Sequence, residues 1–123
     1  MIIAERWLVG ESVQLVVHRT SGFARLRGLI GRPPLAPATA MLFTHCNSVH
    51  GVGMRRSLDV VFVGCDSVVT STCRLRPWRV VSDPRAVATL ELEVGEIARL
   101  CLYKGVQIKK LRQRGVKISR PDP

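Results

Sequence analysis

The sequence predicts a mainly β (α+β) domain, in which a compact antiparallel barrel-like sheet carries two short helices. The stretch Leu58–Val63, LDVVFV, is a short apolar run rich in β-branched residues, which favours a buried strand. Residues 88–94, ATLELEV, alternate strictly, so Leu90, Leu92 and Val94 point inward and Glu91 and Glu93 outward. A chain of 123 residues with 46% hydrophobic composition is long enough for one core.

The N-terminal third predicts a hairpin followed by a helix. Residues 2–9 and 12–18 are predicted strands, joined by a turn at Gly10 and Glu11. Residues 23–30 place apolar side chains at helical spacing and predict the first helix. Pro33 and Pro34 prevent that helix from continuing.

The remainder predicts more strands and a second helix. Residues 58–63 and 68–75 are expected to form an antiparallel hairpin, because a turn-forming Gly-Cys-Asp-Ser lies between them. The other predicted elements are strands at 41–44, 88–94 and 106–108, a short extended piece at 78–81, and a helix at 96–102 that begins with an acid.

The domain organisation is predicted as one β-rich domain at 1–108, followed by a basic tail at 109–123 that extends the last strand or frays. The net charge is +10, and seven bases against one acid lie from Lys104 onward. Such a tail favours weak, non-specific contact with nucleic acid or anionic membranes, or solubility alone. No apolar run approaches the ~20 residues of a membrane span, and no signal peptide is evident, so we expect a cytoplasmic protein.

The four cysteines show no C-x-x-C spacing, which leaves a zinc or thioredoxin-type site without its main support. We expect buried thiols. The sequence predicts neither a metal nor a cofactor.

The densest group of polar side chains directly precedes and enters the LDVVFV strand. Asp59 shares a strand face with valines, so its carboxylate must be paired or hydrogen-bonded, and Arg55 and Arg56 are close in sequence. Arginines further upstream extend the basic character, and together they favour binding of phosphate or carboxylate, although a solvated basic surface is equally consistent. The predicted ligand-binding residues are Arg25, Arg32, His50, Met54, Arg55, Arg56 and Asp59.

Two other interpretations of this stretch stay open. His50, Met54 and Asp59, with His45, are able in principle to form a small ligand or metal site, but the set mixes soft and hard ligands, and structural roles are favoured. Cys46 with His50 and Asp59 would suit a small hydrolase or thiol enzyme, which needs a lowered thiol pKa and access. The sequence does not assign catalytic roles to particular residues.

The order of motifs resembles the family called domain of unknown function 192, a group of small bacterial and archaeal proteins. The motifs are R-x-x-GL-x-x-R at 25–32, VH-x-x-GM-R-x-x-x-DVVF from Val49, and LEL from Leu90. The resemblance implies a compact domain of mostly antiparallel strands closed into a barrel-like sheet with two short helices. It implies no established reaction, cofactor or substrate. Departures are Val52 in place of an aromatic, Ser57 near a usual proline, and Gly105-Val106 in place of Gly-Asp.

We therefore expect a non-enzymatic binding or accessory domain that recognises an anionic ligand or protein segment through the 50–56 loop. The alternatives are the small hydrolase or thiol enzyme, and an adaptor that contacts nucleic acid or a membrane surface through the basic tail. The sequence alone does not decide whether the protein is an enzyme.

Overall fold

The structure is a computed structural model that describes residues 3–19 and 34–111. This part of the chain forms nine strands and one short helix, which confirms the mainly β prediction. The elements are β1 (Ile3–Val9), β2 (Val13–Arg19), β3 (Thr39–Thr44), β4 (Ser48–His50), β5 (Leu58–Val63), β6 (Val69–Leu75), β7 (Val80–Ser82), β8 (Ala88–Glu93), α1 (Glu96–Leu100) and β9 (Ile108–Lys110).

Only one of the two predicted helices is found in the described part of the chain. It ends at Leu100 and not at residue 102, because Cys101 takes a left-handed conformation with φ 57° and caps the helix. The helix predicted at 23–30 falls outside the described residues. The described helix is five residues long, so tertiary contacts must hold it.

Seven strands form one sheet in the order β6-β5-β8-β3-β2-β1-β9. The neighbours are antiparallel except β2 and β3, which run parallel, so the predicted antiparallel sheet is confirmed with this pair as an exception. The reason is the long connection 20–38 between them. A parallel pair needs such a crossover, whereas a tight hairpin permits only antiparallel strands.

The two edges of this sheet meet at one end. The Val69 amide donates to the Val106 carbonyl at 2.9 Å, and the Ile108 amide donates to the Ser67 carbonyl at 2.8 Å. An isolated bridge between Val68 and Gln107 lies within the same contact. The sheet is therefore curled into a half-barrel, which confirms the barrel-like prediction.

Both faces of the sheet are covered by apolar residues. Along β5, Val61 and Val63 belong to the inner-face core, whereas Leu58, Val60 and Phe62 belong to the outer-face core. All six residues of β5 are buried, which explains why the sequence of this strand is apolar almost throughout.

A two-stranded ribbon of β4 and β7 covers the outer face of the sheet. Val49 and Val81 are paired across the ribbon and pack on the outer-face core. Side chains alternate along a strand, so the neighbouring pair His50 and Val80 faces away from the sheet. The sequence predicted an extended piece at 78–81, and the strand observed there is Val80–Ser82.

The cysteines are all free thiols. Cys46 is buried, but Cys65 and Cys101 are exposed, so the expectation of buried thiols is wrong for these two. Cys65 lies in the turn between β5 and β6, and Cys101 caps α1, where neither side chain meets a core. No helix within residues 3–19 and 34–111 has the length and apolar character needed to cross a membrane.

Candidate functional site

Asp59 is buried, with 5% of its surface exposed, and its carboxylate is satisfied by the start of helix α1. Oδ2 accepts hydrogen bonds from the Gly95 amide at 3.0 Å and the Ile97 amide at 3.1 Å. The first amides of a helix have no partner within it, and no side chain of the Gly95 N-cap supplies one. The requirement that Asp59 be hydrogen-bonded is confirmed.

The partners of Asp59 are not the arginines expected from sequence proximity. Arg56 pairs instead with Glu93 on β8, with Nη2 to Oε2 at 2.8 Å and Nε to Oε1 at 3.0 Å. Burial alone would raise the pKa of Glu93, but hydrogen bonds from Arg56 and from the Leu35 amide outweigh it and lower that pKa. The same contact raises the pKa of the Arg56 guanidinium. Arg56 therefore fastens the bend before β5 to β8.

The proposed ligand set of His50, Met54 and Asp59 is divided among three places. Met54 is buried in the outer-face core, whereas Asp59 lies on the inner face of β5. His50 is exposed on the outward face of the ribbon, where its Nδ1 accepts a hydrogen bond from the Val52 amide at 3.3 Å. Among the described residues, no group of three or more His, Cys, Asp or Glu side chains is arranged to hold a metal ion.

Cys46 and His50 are also on opposite sides of the ribbon. Cys46 is 7% exposed and packs in the outer-face core under β4 and β7, where its thiol donates to the Ser48 carbonyl at 3.2 Å. Arg25 and Arg32 lie outside the described residues.

The structure does bring the 50–56 loop against a second segment, the turn before β7. The Gly51 amide donates to the Arg79 carbonyl, and the Trp78 amide donates to the Gly51 carbonyl, both at 2.8 Å. The Arg79 amide closes the turn on the Arg76 carbonyl at 3.2 Å. A Cβ at Gly51 would lie 2.6 Å from the Arg76 carbonyl oxygen, so only glycine permits this close approach. The two segments thus share one fixed backbone.

Trp78 occupies an unusual position on this backbone. Its side chain is 69% exposed, and its φ is 63°. A bulky residue with positive φ is a conformational outlier that costs on the order of 1 kcal/mol or more. Two other apolar residues nearby are also exposed. Val80, two residues after Trp78, is 66% exposed, and Val52, next to Gly51 on the other segment, is 46% exposed. Core packing does not account for these side chains.

The charge around Trp78 is strongly positive. Residues 47–57 and 74–82 contain five arginines and no acid. Two of them are placed beside carboxylates, Arg56 at Glu93 and Arg74 at Asp59. The other three are exposed and form no ion pair within the described part of the chain. We call the resulting surface the basic ribbon tip; it comprises Val52, Arg55, Arg76, Trp78, Arg79 and Val80.

Sequence reasoning identified one half of this surface. Arg55 and the glycine-rich 50–56 loop were predicted to bind a ligand because they directly precede the β5 strand. The turn with Trp78 was missed as a site residue because its contact with Gly51 is long-range. The available signal was the R-P-W-R string, which places a tryptophan between arginines after a proline.

A second carboxyl is buried on the outer face of the sheet. Glu91 is 6% exposed and has no hydrogen bond within the described residues. It lies on β8 opposite Met41 of β3 and Val60 of β5, and burial raises its pKa to about 7. The prediction that Leu90 and Leu92 point into the core is confirmed. Glu91 points to the opposite face, as predicted, but it is buried there and does not reach solvent. Val94, predicted to point inward, is 45% exposed because β8 ends at Glu93.

The chain is similar to several known proteins. The model of domain of unknown function 192, described as an uncharacterized ACR, matches residues 8–110. The UPF0127 protein PF1050 of Pyrococcus furiosus is 31% identical, across 71% of this chain and 88% of that protein.

Two solved structures have a similar fold. A Sinorhizobium meliloti 1021 protein, solved as "a putative transcription regulator", has a TM-score of 0.78 and 20% identity over 89% of this chain and 95% of its own. A protein of unknown function from Novosphingobium aromaticivorans has a TM-score of 0.70 and 24% identity over 88% and 84%. At these identities the likeness concerns the fold alone.

Proposed function

We propose a binding function for this chain. The chain belongs to the family called domain of unknown function 192, which is uncharacterised and has no assigned reaction. In this proposal the protein is a non-enzymatic binding or accessory domain. The basic ribbon tip, which contains part of the 50–56 loop, recognises an anionic ligand or protein segment.

The observation that carries the proposal is a set of unpaired arginines on a fixed backbone. Arg55, Arg76 and Arg79 are exposed without an ion pair within the described residues, and hydrogen bonds between Gly51 and Trp78–Arg79 fix the segments that carry them. Guanidinium groups form bidentate hydrogen bonds with carboxylate and phosphate. A backbone that is already ordered loses less entropy when a ligand binds.

The remaining predicted site residues have different places in this proposal. His50 lies beside Val80 on the outward face of the ribbon and is proposed to contact the ligand. Met54 and Arg56 support the loop from the outer-face core and from β8, respectively, whereas Asp59 anchors α1 on the inner face. Arg25 and Arg32 stay predicted contacts that lie outside the described residues.

The enzyme alternative has less support, because Cys46 is buried beneath the ribbon while His50 is on its outward face. A nucleophilic thiol needs access and a nearby base. The tail alternative depends on residues that are mostly outside the described part of the chain.

The test compares two double variants that change the net charge equally. Arg76→Glu with Arg79→Glu reverses charge at the basic ribbon tip, and Lys104→Glu with Lys109→Glu reverses it at two other exposed positions. The probe is fluorescein-labelled deca-glutamate, whose binding is followed by fluorescence anisotropy at low salt, with inorganic phosphate as competitor. We expect the ribbon variant to lose roughly tenfold or more in affinity and the control variant to lose much less.

Equal losses in the two variants would mean that the probe responds to net charge and not to this surface, and the proposal would then be abandoned. Circular dichroism and thermal unfolding of both variants establish that each is folded. Because the substituted side chains are exposed and form no ion pair with any described residue, we expect both variants to retain the wild-type melting temperature within a few degrees.

A further inference from the structure

We infer that the natural partner is an acidic protein segment that also presents an apolar side chain to Trp78. This inference rests on the proposed function and deepens it, because it specifies what the arginines surround. Trp78 and Val80 are the most exposed large apolar residues in the described part of the chain, at 69% and 66%. Trp78 lies between Arg76 and Arg79 along the chain, and its amide donates to the Gly51 carbonyl of the 50–56 loop; Val80 follows Arg79.

The backbone at Trp78 is the first argument. At φ 63° a glycine would be unstrained, whereas a tryptophan is strained, and its side chain recovers little packing because 69% of it is exposed. Hydrogen bonds to Gly51 and across the Arg76–Arg79 turn hold it there. Strained, exposed residues of this kind are concentrated at binding sites, where the surroundings impose a conformation that serves a partner.

The arrangement of charge and apolar surface is the second argument. The apolar side chains of Val52, Trp78 and Val80 are accompanied by Arg55, Arg76 and Arg79, which form no ion pair with any residue that the structure describes. Protein interfaces combine an apolar centre with a polar rim, and tryptophan and arginine are the residues most enriched among their energetic hot spots. An acidic segment complements the rim, and an apolar side chain complements the centre.

Other occupants fit less well. A second copy of this chain would bring like-charged arginines together, because residues 47–57 and 74–82 contain no acid. Single-stranded nucleic acid is bound by several aromatic side chains that stack successive bases, and here one tryptophan stands among valines. A lipid surface is bound by a broad apolar face, whereas this apolar surface consists of three side chains among arginines.

The experiment uses Trp78 as its own reporter in the full-length chain. The protein contains two tryptophans, so Trp7→Phe leaves Trp78 as the only one. Two labelled dodecapeptides are titrated: one has glutamates around a central pair of leucines, and the other has serines in place of the leucines. We expect the leucine peptide to bind roughly tenfold or more tightly, to shift Trp78 emission to the blue and to protect it from acrylamide.

The decisive variant is Trp78→Gly, in a chain with native Trp7 and with binding followed by the peptide label. We expect it to be at least as stable as the wild type, because φ 63° suits glycine. We expect the variant to bind the leucine peptide no better than the serine peptide, with its serine-peptide affinity unchanged. Tyr103→Gly is the matched control, because Tyr103 is a 50% exposed aromatic outside the basic ribbon tip; both peptides should bind it as they bind the wild type.

The outcomes separate the two proposals. Equal binding of both peptides, unaffected by Trp78→Gly but lost on Arg76→Glu with Arg79→Glu, overturns the inference and leaves the proposed function standing. If neither peptide binds and the arginine variants change nothing, both fail. Tighter binding to phosphatidylserine-containing vesicles or to oligothymidylate than to the leucine peptide also overturns the inference, in favour of a membrane or a nucleic acid.

Discussion

Two buried carboxyl groups lie on opposite faces of the same sheet, and their surroundings differ. Asp59 on β5 faces inward, where the Gly95 and Ile97 amides of α1 donate to it at 3.0 and 3.1 Å. Glu91 on the adjacent strand β8 faces outward between Met41 and Val60, and no described residue donates to it. Their exposed fractions, 5% and 6%, are nearly the same.

The comparison shows that burial alone does not determine what a carboxyl does in this fold. At Asp59 the helix amides replace the water that the carboxylate lost, and this side chain in turn anchors a five-residue helix. At Glu91 no described residue replaces that water, and burial favours the neutral form and raises the pKa to about 7. One group therefore holds the fold together, and the other makes its stability depend on pH.

The largest expected effect is from removing the inner-face carboxylate. Asp59→Ala leaves the Gly95 and Ile97 amides without their acceptor, and each unsatisfied buried group costs about 1–3 kcal/mol. We expect a loss of about 4 kcal/mol in the free energy of unfolding, measured by urea denaturation. Asp66→Ala is the matched control, because Asp66 is an exposed turn residue that accepts one amide, from Val68 at 3.1 Å. Similar losses in both variants would contradict a special role for Asp59.

The next effect is the pH dependence from Glu91. With a folded pKa of about 7 and an ordinary value of 4.5, folding retains a proton that the unfolded chain releases. Its contribution is fully present below pH 4.5 and is lost as pH rises to about 7, by roughly 2–3 kcal/mol. Glu91→Gln cannot titrate, so the stability difference between the variant and the wild type should move in favour of the variant by that amount over this range.

Other ionisable groups on the outer face need a control in the same experiment. Glu93 on β8 is paired with Arg56, Cys73 on β6 lies beyond Val60, and His18 on β2 lies beyond Met41. Burial, the largest cause, raises the pKa of the Cys73 thiol and keeps it neutral. His18→Gln should leave the Glu91-dependent slope intact. If the slope disappears with His18→Gln and persists in Glu91→Gln, the assignment to Glu91 is wrong.

A smaller effect on the free energy of unfolding is expected at Glu93, the acid on the outer face that is paired with Arg56. Arg56→Met removes both hydrogen bonds to Glu93, and because Arg56 is about one-third exposed, water offsets part of the loss. We expect about 1 kcal/mol, and a double-mutant cycle with Glu93→Gln should show coupling of that size. Arg55→Met is the control, since Arg55 is exposed and unpaired in the described residues, and should change stability by less than about 0.5 kcal/mol.

The pH dependence at Glu93 runs opposite to that at Glu91. The folded pKa of Glu93 lies below its ordinary value of 4.5, so its contribution is present above pH 4.5 and is lost as pH falls through the lower folded pKa. The Arg56→Met variant should therefore lose part of the acid sensitivity of the wild type. An unchanged acid limb of the stability profile would show that Arg56 is not the cause.

Local patterns in the sequence predicted the strands well and their surroundings less well. The LDVVFV and ATLELEV strings gave β5 and β8 because period and composition are local properties. The same alternation wrongly predicted that Glu91 faces solvent. A period-2 pattern carries no information about the β4–β7 ribbon and the outer-face core, which cover that face of the sheet. The parallel β2–β3 pair was missed because strand direction depends on the connection between them.

The candidate site was predictable to the same extent. The polar stretch before β5 pointed to the loop, and the need to satisfy Asp59 followed from burial. The partner of Asp59 was not predictable, because Gly95 and Ile97 are more than thirty residues downstream. The Trp78 turn joins Gly51 through contacts between segments that have no local signal for each other. The local sequence therefore predicted the 50–56 loop, whereas the Trp78 turn, the other half of the candidate site, was recognisable only from the fold.

The smallest expected effect tests what holds Asp59. Arg74 Nε lies 3.9 Å from Asp59 Oδ1, and the Arg74 side chain is 56% exposed, so water screens the attraction between them. We expect Arg74→Ala to lower the free energy of unfolding by about 0.3 kcal/mol, and less still in about 1 M salt. Because the Gly95 and Ile97 amides are both near 3 Å, they account for nearly all of the hold on this carboxylate. A loss above about 1 kcal/mol that salt abolishes would instead show that the ion pair holds it, and the contrast with Glu91 would then be one of charge pairing and not of helix amides.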